Sequence, residues 1–126
     1  MIKILVVEDN ELNRDMLTLR LQRQGYEVDV AATGEEALSK VEQYKPDLIL
    51  MDMSLPVMDG WEVTRALKKN SDTRSIPVIG LSAHARDIDI IKGLDAGCDA
   101  YETKPVDMLR LLEVIQSIVG NNKNPS

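Results

Sequence analysis

Residues 48 to 53 read LILMDM: four apolar residues run without a break from Leu48 to Met51 and then meet a single acid, Asp52. Pro46-Asp47 precedes the run and Ser54-Leu55-Pro56 follows it. A short, continuous apolar run bounded by polar and turn residues suits a strand covered on both faces, as in a parallel sheet. Burying a lone carboxylate is costly, so an acid at the end of such a strand needs a partner or a purpose. The plainer alternative is that Asp52 caps the turn that follows.

Working outward, Ile2 to Val7 is a second β-branched apolar run, ended by Glu8-Asp9-Asn10. Leu12, Met16 and Leu19, with Leu17 and Leu21 alongside, give a helical stripe that Gly25 terminates. Tyr26 to Ala31 alternates apolar and polar residues, which places this strand at an edge of the sheet. Thr33-Gly34-Glu35-Glu36 has the form of a capping box, and Ala37, Val41 and Tyr44 then share one helical face. Beyond LILMD and a loop with Pro56, the residues Trp61, Val63, Ala66 and Leu67 mark a third helix. Pro77 to Ser82 is a fourth strand, and Ile88, Ile91 and Leu94 mark a fourth helix closed by Gly97. Ala100 to Thr103 is a short fifth strand. After Lys104-Pro105, Asp107 caps a last helix carrying Met108, Leu109, Leu112, Ile115 and Val119. The reading is one domain over residues 1–119 with a frayed tail over 120–126. Strands alternating with helices predict an α/β domain: a parallel sheet covered on both faces, with right-handed crossovers.

The totals narrow the function. The 126 residues suit one domain with a sizeable core. A net charge of −6 argues against general binding to nucleic acid, which works by neutralising phosphates, and gives no attraction to an anionic membrane. The single cysteine, Cys98, excludes an intrachain disulfide and fits a reducing compartment. The longest apolar run falls far short of the roughly 20 residues that span a bilayer. The N-terminus MIKILVVED lacks the pattern of a cleaved signal. A cytoplasmic protein is expected. With no Phe, one Trp and three Tyr, its core must be built from Leu, Ile, Val, Met and Ala.

In a doubly wound sheet, ligands sit beyond the carboxyl ends of the strands. Glu8 and Asp9 end the first strand, Asp52 the third and Ser82 the fourth, and Lys104 follows the fifth. If the strands are parallel, three carboxylates, a hydroxyl and an ammonium meet at one edge. Acids that close raise one another's pKa unless a cation neutralises them. A hard divalent ion, Mg²⁺ or Mn²⁺, suits such oxygen ligands and keeps several waters for a phosphate group. The set fits a phosphoryl group carried by an acid: Asp52 as nucleophile, Glu8 and Asp9 on the metal, and Lys104 and Ser82 on the phosphoryl oxygens. Taken singly, Glu8 and Asp9 could be first-turn acids of a helix, Ser82 a helix cap, and Lys104 a solvated lysine. Their joint placement argues for the site.

Four motifs, VVEDN (Val6 to Asn10), PDLILMDMSLPVMDG (Pro46 to Gly60), PVIGLSAHA (Pro77 to Ala85) and GCDAYETKP (Gly97 to Pro105), together resemble the receiver domain of two-component response regulators. The resemblance covers residues 2 to about 119. It implies a (βα)5 CheY-like fold with the flavodoxin-like strand order 2-1-3-4-5. It implies that Asp52 takes a phosphoryl group from the phosphohistidine of a histidine kinase or histidine phosphotransfer protein. The backbone carbonyl of Ser54 joins Glu8, Asp9 and Asp52 on the metal. The resemblance further implies that Ser82 and Tyr101 form a switch, in which Ser82 is drawn towards the phosphoryl group and Tyr101 turns into the space it leaves. The face made by the fourth helix, fifth strand and fifth helix then changes, and a downstream protein reads it. By the same resemblance, Ser54 and His84 stand at positions that tune phosphoryl lifetime, Lys104-Pro105 is expected to be cis, and Pro56, Met58, Asp59 and Gly60 are expected to shape the loop after Asp52.

Three alternatives are weaker on the residues. An aspartyl-phosphate phosphatase usually needs a second acid two residues after the nucleophile, where this chain has Ser54. A flavodoxin-type cofactor site needs a Gly/Ser/Thr-rich loop where this chain has Glu8-Asp9-Asn10. A phosphorylation-independent adaptor would have no need for the full set of Glu8, Asp9, Asp52, Ser82 and Lys104. The transcription-factor subclass usually has two acids before the tyrosine, whereas Asp99 is followed by Ala100. VEDNELNR resembles the receivers of hybrid kinases and stand-alone phosphorelay proteins. The expectation is a stand-alone signalling phosphoacceptor rather than an enzyme. Its partners are expected to be proteins, not nucleic acid or membrane. It should be monomeric or a weak, phosphorylation-dependent dimer.

Overall fold

The structure, a computed structural model, describes residues 1–83 and 86–120. Its strands are β1 (Lys3–Val7), β2 (Glu27–Ala31), β3 (Leu48–Asp52), β4 (Val78–Ser82) and β5 (Ala100–Thr103). Between and after them lie α1 (Glu11–Arg23), α2 (Gly34–Tyr44), α3 (Gly60–Lys69), α4 (Asp87–Ala96) and α5 (Met108–Ile115), the last continued by a wider turn over Gln116–Gly120. All strand pairs are parallel and the order is β2-β1-β3-β4-β5. The proposed tail over 120–126 lies, apart from Gly120, outside the described residues. No described helix is long and apolar enough to cross a membrane.

Every residue of β3 and β4 is buried. Alternation along the strands divides the core in two. Ile4, Val6, Leu48, Leu50, Ile79 and Leu81 face one side and pack with Leu17 and Leu21 of α1 and Leu111, Ile115 and Val119 at the end of the chain. Leu5, Val7, Ile49, Met51 and Val78 face the other, against Ala37 and Val41 of α2 and Val63 and Leu67 of α3. The local signals at the helix starts are present. Thr33 Oγ1 accepts from the Glu36 N–H at 3.1 Å, while Glu36 Oε1 accepts from the Ala32 N–H at 2.8 Å, one residue short of a strict capping box. Asp59 and Asp107 cap α3 and α5.

Three stripes differ from the sequence reading. Leu12, Met16 and Leu19 of α1 are exposed, and the buried pair is Leu17 and Leu21. Ile88, Ile91 and Leu94 of α4 are exposed, and Gly93 and Ala96 face inward. Leu109 of α5 is exposed, while Leu111 is buried. Each helix carries more apolar residues than its contact with the sheet can cover, so periodicity alone picks out the solvent side on α4 and mixes the two sides on α1. On α5 it errs only at Leu109, since Met108, Leu112, Ile115 and Val119 do pack on the core.

At the amino-terminal edge Lys68 acts as a clamp. Its ammonium donates to the carbonyls of Arg74 (3.1 Å) and Ile76 (2.8 Å) and to Asp99 Oδ2 (3.2 Å), which also accepts from the Val78 N–H at 2.8 Å. This ties α3, the loop before β4 and the start of β5 together. Lys68→Met keeps the apolar stem and removes the donors. It is expected to lower unfolding free energy by about 1–3 kcal/mol in urea titration. Lys40→Met, which breaks a half-exposed pair with Asp29 and no backbone contact, is expected to cost under about 1 kcal/mol. Equal losses would refute the clamp.

Candidate functional site

The parallel order brings the carboxyl ends of β1, β3, β4 and β5 to one edge, and backbone hydrogen bonds fix the residues just past them. The Glu8 N–H donates to the Ala31 carbonyl (3.0 Å), Met53 N–H to Leu81 (2.9 Å) and Lys104 N–H to Ser82 (2.7 Å). Glu8 and Asp52 are almost fully buried, and Asp9 is exposed. Carboxylate oxygens of Glu8, Asp9 and Asp52 all lie within 4.8 Å of one another. Lys104 Nζ stands 2.7 Å from Glu8 Oε1 and 3.4 Å from Asp52 Oδ2. Asp52 Oδ1 accepts from the Ser54 N–H at 3.0 Å, and Glu8 Oε2 from the Asn10 N–H at 3.1 Å.

These contacts set the charges. Burial, and then the neighbouring charge of Glu8, push Asp52 up to about 6, against the opposing pull of the Ser54 N–H and Lys104. Burial also acts to raise Glu8, but hydrogen bonds from Lys104 and the Asn10 N–H outweigh it and hold Glu8 below the ordinary glutamate value. For Lys104 the same contest runs the other way. Burial disfavours its charge, and the two carboxylates more than restore it. With all groups ionised, three carboxylates against one ammonium leave two negative charges uncompensated.

The donor set fits a small hard cation. Opposite vertices of a Mg²⁺ octahedron lie about 4.2 Å apart, given metal–oxygen distances of about 2.1 Å, close to the spread of the carboxylate oxygens. Asp9 on the solvent side leaves the remaining coordination positions open to water or a ligand.

Gly60 shapes the loop behind Asp52. A Cβ there would lie 2.5 Å from the Asp52 carbonyl oxygen and 2.7 Å from Met53 Cα, so a side chain would displace the β3 backbone itself. The bond between Lys104 and Pro105 is cis, as the resemblance implies. Ser54 is exposed beside Asp52. Ser82 is buried at the end of β4, one step beyond the paired residues Asp52 and Leu81. His84 lies outside the described residues.

Tyr101 departs from the expected sequence of events. With Asp52 a carboxylate, the Tyr101 ring is already turned inward and its hydroxyl is enclosed without a well-formed hydrogen bond. Burial raises its pKa, partly offset by the Ser82 hydroxyl beside it. Two further parts of the site escaped the sequence reading. Arg14 Nη1 donates to the Glu8 carbonyl at 3.1 Å, bracing the turn after β1. A groove of about 460 Å³ runs from Glu8 and Lys104 past Met16 to Pro105 and Val106. Met16, the one residue of the exposed Leu12, Met16 and Leu19 stripe that lines it, was the available signal for it.

A doubly wound sheet that gathers three carboxylates and a lysine at its carboxyl edge defines a ligand-binding domain with a cation-seeking acidic pocket. The chain belongs to the response regulator receiver domain family, whose pattern matches residues 4–116. It is 41% identical over 118 residues to the polar-differentiation response regulator DivK of Brucella anthropi, covering 94% of this chain and 96% of that protein. Among solved structures, chemotaxis protein CheY4 of Vibrio cholerae is 33% identical with a TM-score of 0.88, over 94% of this chain and 98% of that one. The receiver domain of the sensor histidine kinase PA1611 of Pseudomonas aeruginosa, solved with a magnesium ion in its active-site cleft, is 36% identical with a TM-score of 0.86, over 94% of this chain and 97% of that one. The chain is thus a two-component receiver domain with the CheY-like fold.

Proposed function

We propose that residues 1–119 form a phosphoacceptor: Asp52 takes a phosphoryl group from the phosphohistidine of a histidine kinase or histidine phosphotransfer protein, in the cytoplasm, and a downstream protein reads the result. The observation that carries this is the cluster itself, a buried Asp52 touching Lys104 and sharing an oxygen cage with Glu8 and Asp9. The magnesium reported in the PA1611 receiver is consistent with the same use of these acids.

Mg²⁺ or Mn²⁺, held by Glu8, Asp9, Asp52 and the Ser54 carbonyl, would neutralise charge on the transferring group. An oxygen of Asp52 attacks phosphorus, the phosphorus–nitrogen bond to the donor imidazole breaks, and the imidazole leaves with the bonding pair. Near-complete burial strips water from Asp52 and makes it a better nucleophile than a solvated aspartate. Lys104 and the Ser54 N–H already engage one carboxylate oxygen each, so the side chain is oriented before the donor arrives. Lys104 and the Ser82 hydroxyl would hold the phosphoryl oxygens, and Ser54 and His84 would set how long the group survives. Exposed Met16 and the groove it lines give a phosphohistidine-bearing helix an apolar surface beside Glu8 and Lys104.

Incubation with acetyl phosphate and Mg²⁺ is expected to add one phosphoryl group by intact mass, stable in acid and lost in base, and EDTA should prevent it. No adduct from either acetyl phosphate or a cognate kinase would leave an adaptor role in its place.

A further inference from the structure

Two glycines stand where glycine is unfavourable: Gly93 in the interior of α4 and Gly80 in the middle of the buried strand β4. Both face one side chain. A Cβ on Gly93 would lie 2.6 Å from Tyr101 Cδ2 and 2.7 Å from Cε2, and a Cβ on Gly80 would lie 3.1 Å from Cδ2. On Gly80 it would also meet Met53 Cε at 2.9 Å and Cys98 Sγ at 3.2 Å, so that side of the ring is walled by packed core atoms. Lys92 Nζ, 4.2 Å from the Trp61 ring centroid, ties this part of α4 to α3. The ring therefore lies in a slot between strand and helix, its hydroxyl enclosed beside Ser82.

We propose that Gly93 and Gly80 form a slot that holds Tyr101 inward while Asp52 is still a carboxylate, so that residue 93 sets the resting bias of the switch. This rests on reading Ser82 and Tyr101 as the switch of a receiver. An alanine at 93 meets the ring, not the backbone. Rotating Tyr101 about χ1 out of the slot relieves the contact, and the outward state is then favoured. Gly93 is a positioning residue that acts through Tyr101. In the wild type the face made by α4, β5 and α5 rests close to its signalling arrangement, and phosphorylation has a smaller conformational step left to drive.

The test uses the full chain labelled with [ε-¹³C]tyrosine. Its three tyrosines give three ring signals, assigned by Tyr→Phe variants. In metal-free wild type, the Tyr101 signal is expected to resist broadening by a soluble paramagnetic agent and to move little when Mg²⁺ and beryllofluoride are added. In Gly93→Ala it is expected to become broadened and to shift. A wild-type signal that is exposed and becomes protected only with beryllofluoride would overturn the proposal, as would a Gly93→Ala signal that stays protected. Melting temperatures give a second arm that holds even if Gly93→Ala folds poorly. Because alanine favours helix over glycine, Gly93→Ala should raise the melting temperature in a Tyr101→Ala background and lower it beside Tyr101. An increase in both backgrounds would refute the slot. Labelling by acetyl phosphate in the same samples reports separately on Asp52, so a failure of the phosphoacceptor reading is distinguishable from a failure of the slot.

Discussion

Asp52→Asn is expected to reduce labelling by acetyl phosphate to background while leaving the fold intact. The substitution keeps the side-chain shape and leaves the amide oxygen to accept from the Ser54 N–H, now 3.0 Å from Oδ1. It removes the nucleophile, because an amide oxygen is far less nucleophilic than a desolvated carboxylate. The other two acids are poor substitutes for different reasons. Glu8 is buried, with one oxygen on Lys104 at 2.7 Å and the other on the Asn10 N–H at 3.1 Å. Asp9 is exposed, without the desolvation that activates Asp52. Lys104→Met keeps the nucleophile but removes the cation that orients it and favours its charge. It leaves Asp52 in place but removes the only ion-pair partner of Glu8 and Asp52 among the described residues. Labelling should then slow by roughly 100-fold, the scale seen when one donor to developing charge is lost. Phosphate incorporation followed by mass spectrometry checks both. Equal labelling of wild type and Asp52→Asn would show that the acceptor lies elsewhere.

How far the sequence led to this site depended on whether a residue acts through the backbone or through side-chain choice. The strand ends were legible because an apolar run of four or five residues has few alternatives to a buried strand, and topology then fixes which ends meet. Asp52 after LILM, Glu8 after ILVV and Ser82 after VIGL followed in this way, and the (βα)5 order came from the resemblance. The helix faces were less legible. On α1 the exposed Leu12, Met16 and Leu19 have as good a helical spacing as the buried Leu17 and Leu21. On α4 the sheet-facing residues are small, Gly93 and Ala96, so the larger isoleucines drew attention to the solvent side. The pairing of Lys104 with Glu8 at 2.7 Å, closer than with Asp52 at 3.4 Å, depends on the longer arm of a glutamate and could not be read from spacing. The inward Tyr101 is a rotamer choice made by two glycines on other elements, and sequence pattern carries no signal for it.

The same buried carboxylate that makes Asp52 reactive should weaken the metal-free fold at neutral pH. Its folded pKa is raised from 3.8 to about 6, so the folded chain holds the Asp52 proton more tightly than the unfolded chain. Relative to a side chain that stays neutral, its contribution is therefore nil below about pH 4, turns unfavourable as pH rises towards about 6, and is a full penalty above that. About two pKa units correspond to roughly 3 kcal/mol, an upper figure, since the Ser54 N–H and Lys104 lose a charged partner when Asp52 becomes Asn. Glu8 works in the opposite sense. Its folded pKa is lowered, so its stabilisation is present above its unfolded value of 4.5 and is lost as pH falls. The two trends partly cancel in the wild type, and comparison with Asp52→Asn isolates the first. In EDTA, urea titrations from pH 4.5 to 7.5 should show Asp52→Asn gaining stability over wild type as pH rises, reaching about 2–3 kcal/mol near pH 7. A difference that does not change with pH would mean that Asp52 titrates as a solvated aspartate. Millimolar Mg²⁺ should narrow the gap at pH 7, because a cation that binds only the folded wild-type site adds stability by mass action. The variant, short of one carboxylate, should gain less. The charge that burial disfavours at Asp52 is then the charge the cation needs, and the acceptor becomes stable and reactive on the same binding event.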